Sequence, residues 1–226
     1  MVKLKVCELF TSVQGEGELI GTPSHFVRLY GCNLRCVWCD TKYSWIRQDR
    51  AVEGLDYRYM ETKEIIDRLN GSPPFIPLFT ITGGEPLLHP IEELVGNAKM
   101  LGYTVLVETN GTIKPSKSLL EKVDYWSVSP KLSSSGNKTT QPLEWIKEAK
   151  RFYLKFVVTD PEKDLPEASE ACAAYGLPRH RVFVQPDGMR PDYPAELARL
   201  AEANRNWGFR VGIQLHRVAW GHRRGV

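Results

Sequence analysis

The sequence predicts an α/β fold, namely a partial, open (β/α) barrel of about six βα units. Short runs rich in Val, Ile, Phe and Tyr alternate along the chain with segments of helical period. This alternation indicates parallel strands that are joined by right-handed crossovers. Six or seven units are too few for the usual closed barrel of eight strands. A doubly wound sheet is the alternative architecture.

The strand pattern occurs in seven short segments, each enriched in β-branched or aromatic residues. The chain also enters a strand-like pattern within its first ten residues. The predicted strands of the repeat are residues 25–30, 78–82, 104–108, 125–129, 153–158, 182–185 and 210–214.

Helical period occurs in six segments between these strands. Thr62 stands at the start of the first helix, and Pro161 and Pro166 open the fifth, as proline does in a first helical turn. The predicted helices are residues 62–70, 90–101, 116–122, 143–150, 165–175 and 194–207.

The composition is that of an ordinary globular protein, with 42% hydrophobic and 25% charged residues. A chain of 226 residues supports one core better than two, so we expect a single domain, residues 1–226. No apolar run approaches the roughly 20 residues of a membrane span, and the first residues do not resemble a signal peptide. We expect a cytoplasmic protein without a membrane partner. The net charge of +3 is too small to indicate a nucleic-acid partner.

Polar or glycine-rich residues follow five of the predicted strands. In both candidate architectures, ligands bind at the carboxyl ends of the strands. The sequence therefore predicts that these five segments meet at one rim and form a ligand site. They are residues 31–32, 82–86, 108–111, 129–131 and 185–188.

Three of the five cysteines, Cys32, Cys36 and Cys39, lie within eight residues in the pattern CxxxCxxC. An odd number with this spacing is a poor disulfide framework and is more typical of a metal or redox site. One short loop can supply three thiolates to three irons of a [4Fe–4S] cluster. The fourth iron is then left open to an external ligand.

Three other interpretations of the cysteines have to be compared with the cluster. A structural zinc site needs four ligands, and Asp40 or His25 would have to complete it. A thioredoxin-like redox pair of Cys36 and Cys39 would leave Cys32 without a role. An ordinary ferredoxin cluster needs a fourth cysteine, and no suitably placed one is present. A three-cysteine cluster is the interpretation that the spacing favours.

The cysteine motif, followed by Gly83, Gly84 and Glu85 after the next strand, resembles the radical S-adenosylmethionine (SAM) superfamily. In that superfamily the glycine segment presents backbone groups to SAM, and glycine allows the close approach. Within it, the chain resembles the 7-carboxy-7-deazaguanine synthase family. The matching segments are residues 10–17, 21, 26–29, 31–34, 39–41, 81–86, 108–111, 129–131 and 214–216.

This family resemblance implies an activity. Members convert 6-carboxy-5,6,7,8-tetrahydropterin into 7-carboxy-7-deazaguanine with loss of ammonia, a step in 7-deazapurine biosynthesis such as that of queuosine. They use a [4Fe–4S] cluster, SAM as the source of a 5′-deoxyadenosyl radical, and Mg²⁺. The resemblance also implies a homodimer and an electron-donating partner, either a reductase or a flavodoxin.

The resemblance assigns roles residue by residue. Cys32, Cys36 and Cys39 match the cluster ligands, and Thr41 matches the Mg²⁺ ligand. The positions that match SAM contacts are Trp38, Cys39, Asp40, Gly84, Ser129, Pro130, Lys131, Gln185, Pro186, Asp187 and Gly188. The substrate-binding candidates are Val13, Gln14, Gly15, Glu16, Arg28, Thr82, Glu108 and His216. Arg28 is assigned to the substrate carboxylate, which suits the fork of an arginine.

One feature departs from the family. Some members end soon after the matching histidine and contact the substrate with the terminal carboxylate, whereas ten residues follow His216 here. The resemblance therefore does not assign Val226 to the substrate. Two other functions have to be compared: a radical SAM enzyme with a macromolecular substrate, such as a glycyl-radical activating enzyme, and a cluster-bearing electron carrier or zinc-binding module that does not use SAM.

Overall fold

The computed structural model describes residues 2–70, 76–138 and 142–226. Within these ranges nine strands form one sheet. The strands are β1 (Lys3–Val13), β2 (Pro23–Leu29), β3 (Arg58–Glu61), β4 (Leu78–Gly83), β5 (Thr104–Thr109), β6 (Tyr125–Val128), β7 (Phe152–Val158), β8 (Val182–Pro186) and β9 (Arg210–Val211).

Six α-helices lie in the described residues. They are α1 (Thr62–Asn70), α2 (Glu92–Met100), α3 (Lys117–Lys122), α4 (Pro161–Ala174), α5 (Tyr193–Ala203) and α6 (Leu215–Trp220). A 3₁₀ helix, Leu143–Glu148, takes the place of an α-helix between β6 and β7. None of the helices in the described ranges has the length and apolarity to cross a membrane.

The strand order distinguishes between the two predicted architectures. From edge to edge the order is β3-β1-β2-β4-β5-β6-β7-β8-β9. Each neighbouring pair in the series β2-β4-β5-β6-β7-β8-β9 is parallel, whereas β1 is antiparallel to both β2 and β3. A doubly wound sheet reverses its order at a switch point, but here the order advances in one direction from β1 to β9. The predicted open (β/α) barrel is confirmed, and the doubly wound alternative is wrong.

The sheet curls strongly, as contacts between residues from its two ends show. Glu16, three residues after the end of β1, forms an ion pair with Lys155 on β7 and accepts a hydrogen bond from Gln185 on β8. The edge strands β3 and β9 do not pair with each other, so the barrel stays open.

Side chains alternate between the two faces of the curved sheet, as the period of a strand requires. On β2, Val27 and Leu29 belong to the main core that the helices cover, whereas Phe26 and Arg28 line a pocket on the inner face. At the opposite end of the strands, a smaller group of buried apolar side chains closes the inside of the barrel. It consists of Leu78, Leu106, Tyr153 and Phe183.

Most predicted elements occur within a few residues of their expected bounds, and the exceptions have physical causes. Helix α4 begins at Pro161 instead of residue 165, because Asp160 caps it by accepting a hydrogen bond from the Glu162 N–H. The predicted strand 210–214 is shortened to Arg210–Val211. Strand β3 and helix α6 were not predicted.

Candidate active site

The main pocket opens at the carboxyl ends of the parallel strands and has a volume of about 460 Å³. This volume lies in the range typical of small-molecule sites. Segments that follow β1, β2, β4, β5, β6 and β8 all contribute to its wall. The ligand site that was predicted at the carboxyl ends of the strands is therefore present.

The pocket brings nearly all the predicted site residues together. Those that line it are Val13, Gln14, Gly15, Glu16, Arg28, Cys32, Cys36, Trp38, Cys39, Asp40, Thr41, Thr82, Gly84, Glu108, Ser129, Lys131, Gln185, Asp187, Gly188 and His216. Pro130 and Pro186 are buried but do not line it. They alternate with the inward-facing residues Ser129, Lys131, Gln185 and Asp187 and face away from the pocket.

Each cysteine sulfur of the loop accepts an N–H hydrogen bond. The Leu34 backbone donates to Cys32 Sγ at 3.4 Å, the Asn137 side chain to Cys36 Sγ at 3.3 Å, and the Trp45 indole to Cys39 Sγ at 3.3 Å. Hydrogen bonds of this kind stabilise thiolates and tune the potential of a bound cluster. The donor set therefore fits a cubane cluster that is held by three thiolates.

The loop that carries these cysteines is fixed from outside. The Cys32 N–H donates to the Gln48 side chain at 2.9 Å, and the Val37 N–H donates to the Ser135 carbonyl at 3.1 Å. Burial raises the pKa of the Cys32 thiol to about 11. In the described residues no group of three or more His, Cys, Asp or Glu side chains would hold a single metal ion. A [4Fe–4S] cluster does not require its protein ligands to converge on one ion, because each thiolate ligates a different iron.

The Gly83-Gly84-Glu85 segment connects the ends of three neighbouring strands. The Glu85 N–H donates to the Gly31 carbonyl at 2.8 Å, and a Cβ on Gly84 would overlap that carbonyl oxygen. The buried Glu85 carboxylate accepts hydrogen bonds from the Thr109 hydroxyl and the Asn110 N–H, both at 2.7 Å. Glu85 therefore holds the backbone of the rim, while Gly83 and Gly84 line the pocket.

Arg28 lies on β2 with its guanidinium against Glu8 of β1. Its Nε donates to Glu8 Oε2 at 3.0 Å, and the Tyr43 hydroxyl donates to the same oxygen at 2.9 Å. Within the described residues Glu8 is the side chain that hydrogen-bonds Arg28. The two terminal NH₂ groups of Arg28 remain as donors for a ligand carboxylate.

Glu16 is a buried carboxylate that receives contacts from three side chains. It pairs with Lys155, and its Oε1 accepts hydrogen bonds from Gln214 at 2.7 Å and Gln185 at 3.2 Å. Burial alone would raise the pKa of Glu16, but Lys155 and His216 outweigh burial and lower it to about 2. Glu16 therefore carries a negative charge on the pocket wall at every physiological pH.

The loop before Glu16 packs against helix α6 and strand β5. The Gln14 side chain donates to Glu108 at 3.2 Å, and the Leu215 N–H donates to the Gly15 carbonyl at 2.9 Å. A Cβ on Gly15 would overlap the ring of His216, so glycine is required for this close approach. Burial lowers the pKa of His216 and favours the neutral imidazole.

Several residues of this site were not predicted from the sequence. Lys155 carries a local signal, because it is a charged residue inside a buried strand pattern. Tyr43, Trp45, Asn137 and Arg224 carry none, since each reaches the site from a loop or tail whose path the local pattern does not determine.

Comparison with known proteins agrees with this geometry. Residues 26–131 match the radical SAM superfamily. The 7-carboxy-7-deazaguanine synthase of Pyrobaculum aerophilum is 40% identical over 227 residues, which cover 99% of this chain and 97% of that protein. The enzyme of the same name from Halobacterium salinarum is 35% identical, covering 96% of this chain and 90% of its own.

Solved structures show the same fold. The crystal structure of QueE from Escherichia coli has a TM-score of 0.74, with 24% identity and 95% of each chain covered. A structure of TYW1 with a lysine-pyruvate adduct bound has a TM-score of 0.56, with 17% identity, covering 81% of this chain and 73% of that one.

Proposed function

The chain belongs to the 7-carboxy-7-deazaguanine synthase family of radical SAM enzymes, and we propose that it converts 6-carboxy-5,6,7,8-tetrahydropterin into 7-carboxy-7-deazaguanine with loss of ammonia. One observation carries the proposal. A single pocket of about 460 Å³ joins the three cysteines and the Gly84 segment to a set of groups suited to a carboxypterin. Its size suits a small molecule better than a macromolecular substrate.

Membership of the radical SAM superfamily implies a [4Fe–4S] cluster and SAM. When bound, the cluster would supply the electron for reductive cleavage of SAM. Cys32, Cys36 and Cys39 hold the cluster, while Gly84 offers backbone groups to SAM. Lys131 lies over the Trp38 ring at 5.2 Å, and its Nζ donates to Ser129 at 2.7 Å. We assign Trp38, Cys39, Asp40, Ser129 and the segment 185–188 to SAM as well.

The substrate side of the pocket carries both signs of charge. Arg28 receives the carboxylate, because its terminal NH₂ groups suit a planar anion. Glu16, Glu108 and the Gln14 amide supply polar contacts for the N–H-rich edge of the pterin. Thr82, His216 and the backbone of residues 13–15 complete the set. Together these residues orient the substrate and exclude water from the reacting carbon.

We assign Mg²⁺ to Thr41, whose hydroxyl lines the pocket 3.6 Å from Cys39 Sγ. Mg²⁺ requires six oxygen ligands, so substrate oxygens and water would complete the shell. An ion held there would supply charge that polarises the substrate carboxylate. A single hydroxyl is a weak ligand, so Mg²⁺ should bind well only with the substrate present.

The remaining parts of the proposal concern the whole protein. Residues 1–226 act as one domain, which is supported by the single sheet that contains all nine strands in the described ranges. We place the enzyme in the cytoplasm, where a reducing environment keeps cysteines available as cluster ligands. The enzyme works as a homodimer and receives its electron from a reductase or a flavodoxin.

An anaerobic assay tests the proposal. The reconstituted protein receives reductant, SAM, Mg²⁺ and 6-carboxy-5,6,7,8-tetrahydropterin, and the deazaguanine product is measured by mass spectrometry. We expect product with the wild type and none with Cys36→Ala, while Cys172→Ala serves as the matched cysteine control. Turnover by Cys36→Ala would refute the cluster assignment. SAM cleavage without product from this pterin would favour a different substrate.

A further inference from the structure

The residues after helix α6 return to the pocket. The helix ends at Trp220, the next residue, Gly221, turns the chain with a φ of +61°, and residues 222–226 line the pocket. Val226 is among these residues, although the family resemblance does not assign it to the substrate. The tail that departs from the family pattern is therefore part of the wall.

Arg217 contacts the start of this tail, with Nη1 2.6 Å from His222 Nδ1, and the Glu8 carboxylate holds its end. Its Oε1 accepts two hydrogen bonds from Arg224, from Nε at 3.0 Å and from Nη2 at 2.8 Å. Its Oε2 accepts from Arg28 at 3.0 Å and from Tyr43 at 2.9 Å. The Arg224 guanidinium also stacks on the Tyr43 ring, 3.6 Å from the ring centre. Glu8 thus joins three segments that are far apart in sequence.

The arrangement places two guanidinium groups on one carboxylate. A one-to-one pair of Arg28 with Glu8 would be neutral, whereas Arg28, Arg224 and Glu8 together carry a net charge of +1. Such a charge attracts an anionic group into the pocket. Each Glu8 oxygen already accepts two hydrogen bonds, so neither is available to the terminal NH₂ groups of Arg28. The Arg28 side chain is therefore fixed with these groups available to a ligand.

We propose that Arg224 is a positioning residue for the substrate: through Glu8 it holds the carboxyl-terminal tail over the pocket and keeps Arg28 oriented toward the substrate carboxylate. The inference rests on the proposed function in one respect, that Arg28 receives this carboxylate. The contact is suited to opening and closing, since the Arg224 side chain is 57% exposed and an exposed ion pair contributes only modestly.

The first test examines the tail without any catalysis. Carboxypeptidase digestion of the wild type, Glu8→Gln and Arg224→Ala is followed by intact mass. Glu8→Gln is the sharper variant, because it leaves the sequence of the tail unchanged. We expect both variants to lose Val226 and Gly225 about fivefold faster than the wild type. Arg205→Ala, an exposed arginine outside the pocket, should digest at the wild-type rate.

The second test measures steady-state kinetics with the reconstituted enzyme. Arg224→Ala should raise KM for the pterin about tenfold, while KM for SAM stays constant and kcat changes less. Arg224→Lys should give an intermediate KM, because lysine keeps the charge but not the two-point contact. A merely structural role would not produce this selective change in one KM.

Two results would overturn the inference. Unchanged digestion in both variants would show that Glu8 does not hold the tail. Faster digestion with an unchanged KM for the pterin would show that the contact does not serve the substrate. The two proposals fail separately, since a wild type that does not turn over this pterin refutes the proposed function while the digestion test still decides whether the tail is held.

Discussion

Glu16 and Lys155 are two buried charged residues that depend on each other. Their side chains are each 11% exposed and face the same pocket. Burial opposes the charged form of Lys155, but Glu16 and Glu108 outweigh it and raise the pKa of the lysine. A buried pair of this kind contributes little net stability, yet removal of one partner leaves an uncompensated charge. The pair therefore fixes the charge pattern of the pocket wall.

Lys155→Met should lower the free energy of unfolding by about 3–5 kcal/mol, because it leaves the Glu16 carboxylate buried without its cation. Urea denaturation at pH 7 measures the change. The double variant Glu16→Gln/Lys155→Met should recover part of the loss, since it removes the orphaned charge. Equal destabilisation in the single and double variants would contradict the explanation.

The same pair predicts a pH dependence with a defined sign. In the wild type the pKa of Glu16 is lowered from 4.5 to about 2, so between these pH values the unfolded state binds more protons. The contribution of Glu16 to stability is thus fully present above pH 4.5 and is lost as the pH falls toward 2.

Lys155→Met should reverse this sign. Without the lysine, burial governs the pKa of Glu16 and raises it, so the folded state binds more protons and stability falls as the pH rises above 4.5. The measurement is the free energy of unfolding from pH 4 to 8 in Lys155→Met relative to Glu16→Gln/Lys155→Met. A flat difference between the two would rule out the assigned charge of Glu16.

At the scale of structural elements, the loop after β6 supports the cysteine loop. Its Asn137 side chain accepts from the Arg35 N–H at 2.9 Å and donates to Cys36 Sγ at 3.3 Å. The Asn110 amide, which follows β5, donates to the Asn33 side chain at 2.9 Å. Two strand ends thus fix the geometry of the cluster ligands from outside their own loop.

Asn137→Leu should shift the reduction potential of the cluster to a more negative value, because a thiolate that loses an N–H hydrogen bond stabilises the oxidised state. A redox titration followed by electron paramagnetic resonance measures the midpoint. Asn206→Leu, at an exposed asparagine of a 3₁₀ helix, is the matched control and should leave it unchanged. A midpoint equal to that of the wild type in Asn137→Leu would show that this bond does not reach the cluster.

The sequence predicted elements well where a local pattern decides the structure. Residues 62–70 form α1 at the predicted bounds, and strands β4 and β5 follow the expected apolar runs. Helix α6 was missed because it is short and none of its residues is buried, so its sequence carries no strong pattern. The reach of Arg224 to Glu8 spans 216 residues, and no local rule predicts such a contact.

At the scale of the whole molecule, the site residues converge because of topology. Parallel strands in a single direction bring every carboxyl end to one rim, so residues 31–32, 82–86, 108–111 and 129–131 meet although they lie far apart in sequence. The strand ends therefore predicted the rim, whereas residues 13–16, Arg28, residues 38–41 and His216 were assigned by the family resemblance. The ion pair of Glu16 with Lys155 was not predicted, since it depends on how far the open sheet curls.

The main apolar core runs without a break from Leu4 to Phe209, including Trp126 and Trp145 in contact at the centre. A continuous core predicts that the cluster-free protein unfolds in urea as one cooperative unit. Far-ultraviolet circular dichroism follows the whole chain. In the double variant Trp38→Phe/Trp45→Phe, tryptophan fluorescence follows mainly the buried Trp126 and Trp145.

We expect the two transitions of this variant to superimpose with one midpoint. Each strand from β1 to β9 hydrogen-bonds its neighbours in the single sheet, so loss of the central strands would leave both flanks without a partner. Two separated transitions would instead show that the halves of the sheet fold independently. The chain would then contain two folding units, and the pocket that lies across them would form only after they dock.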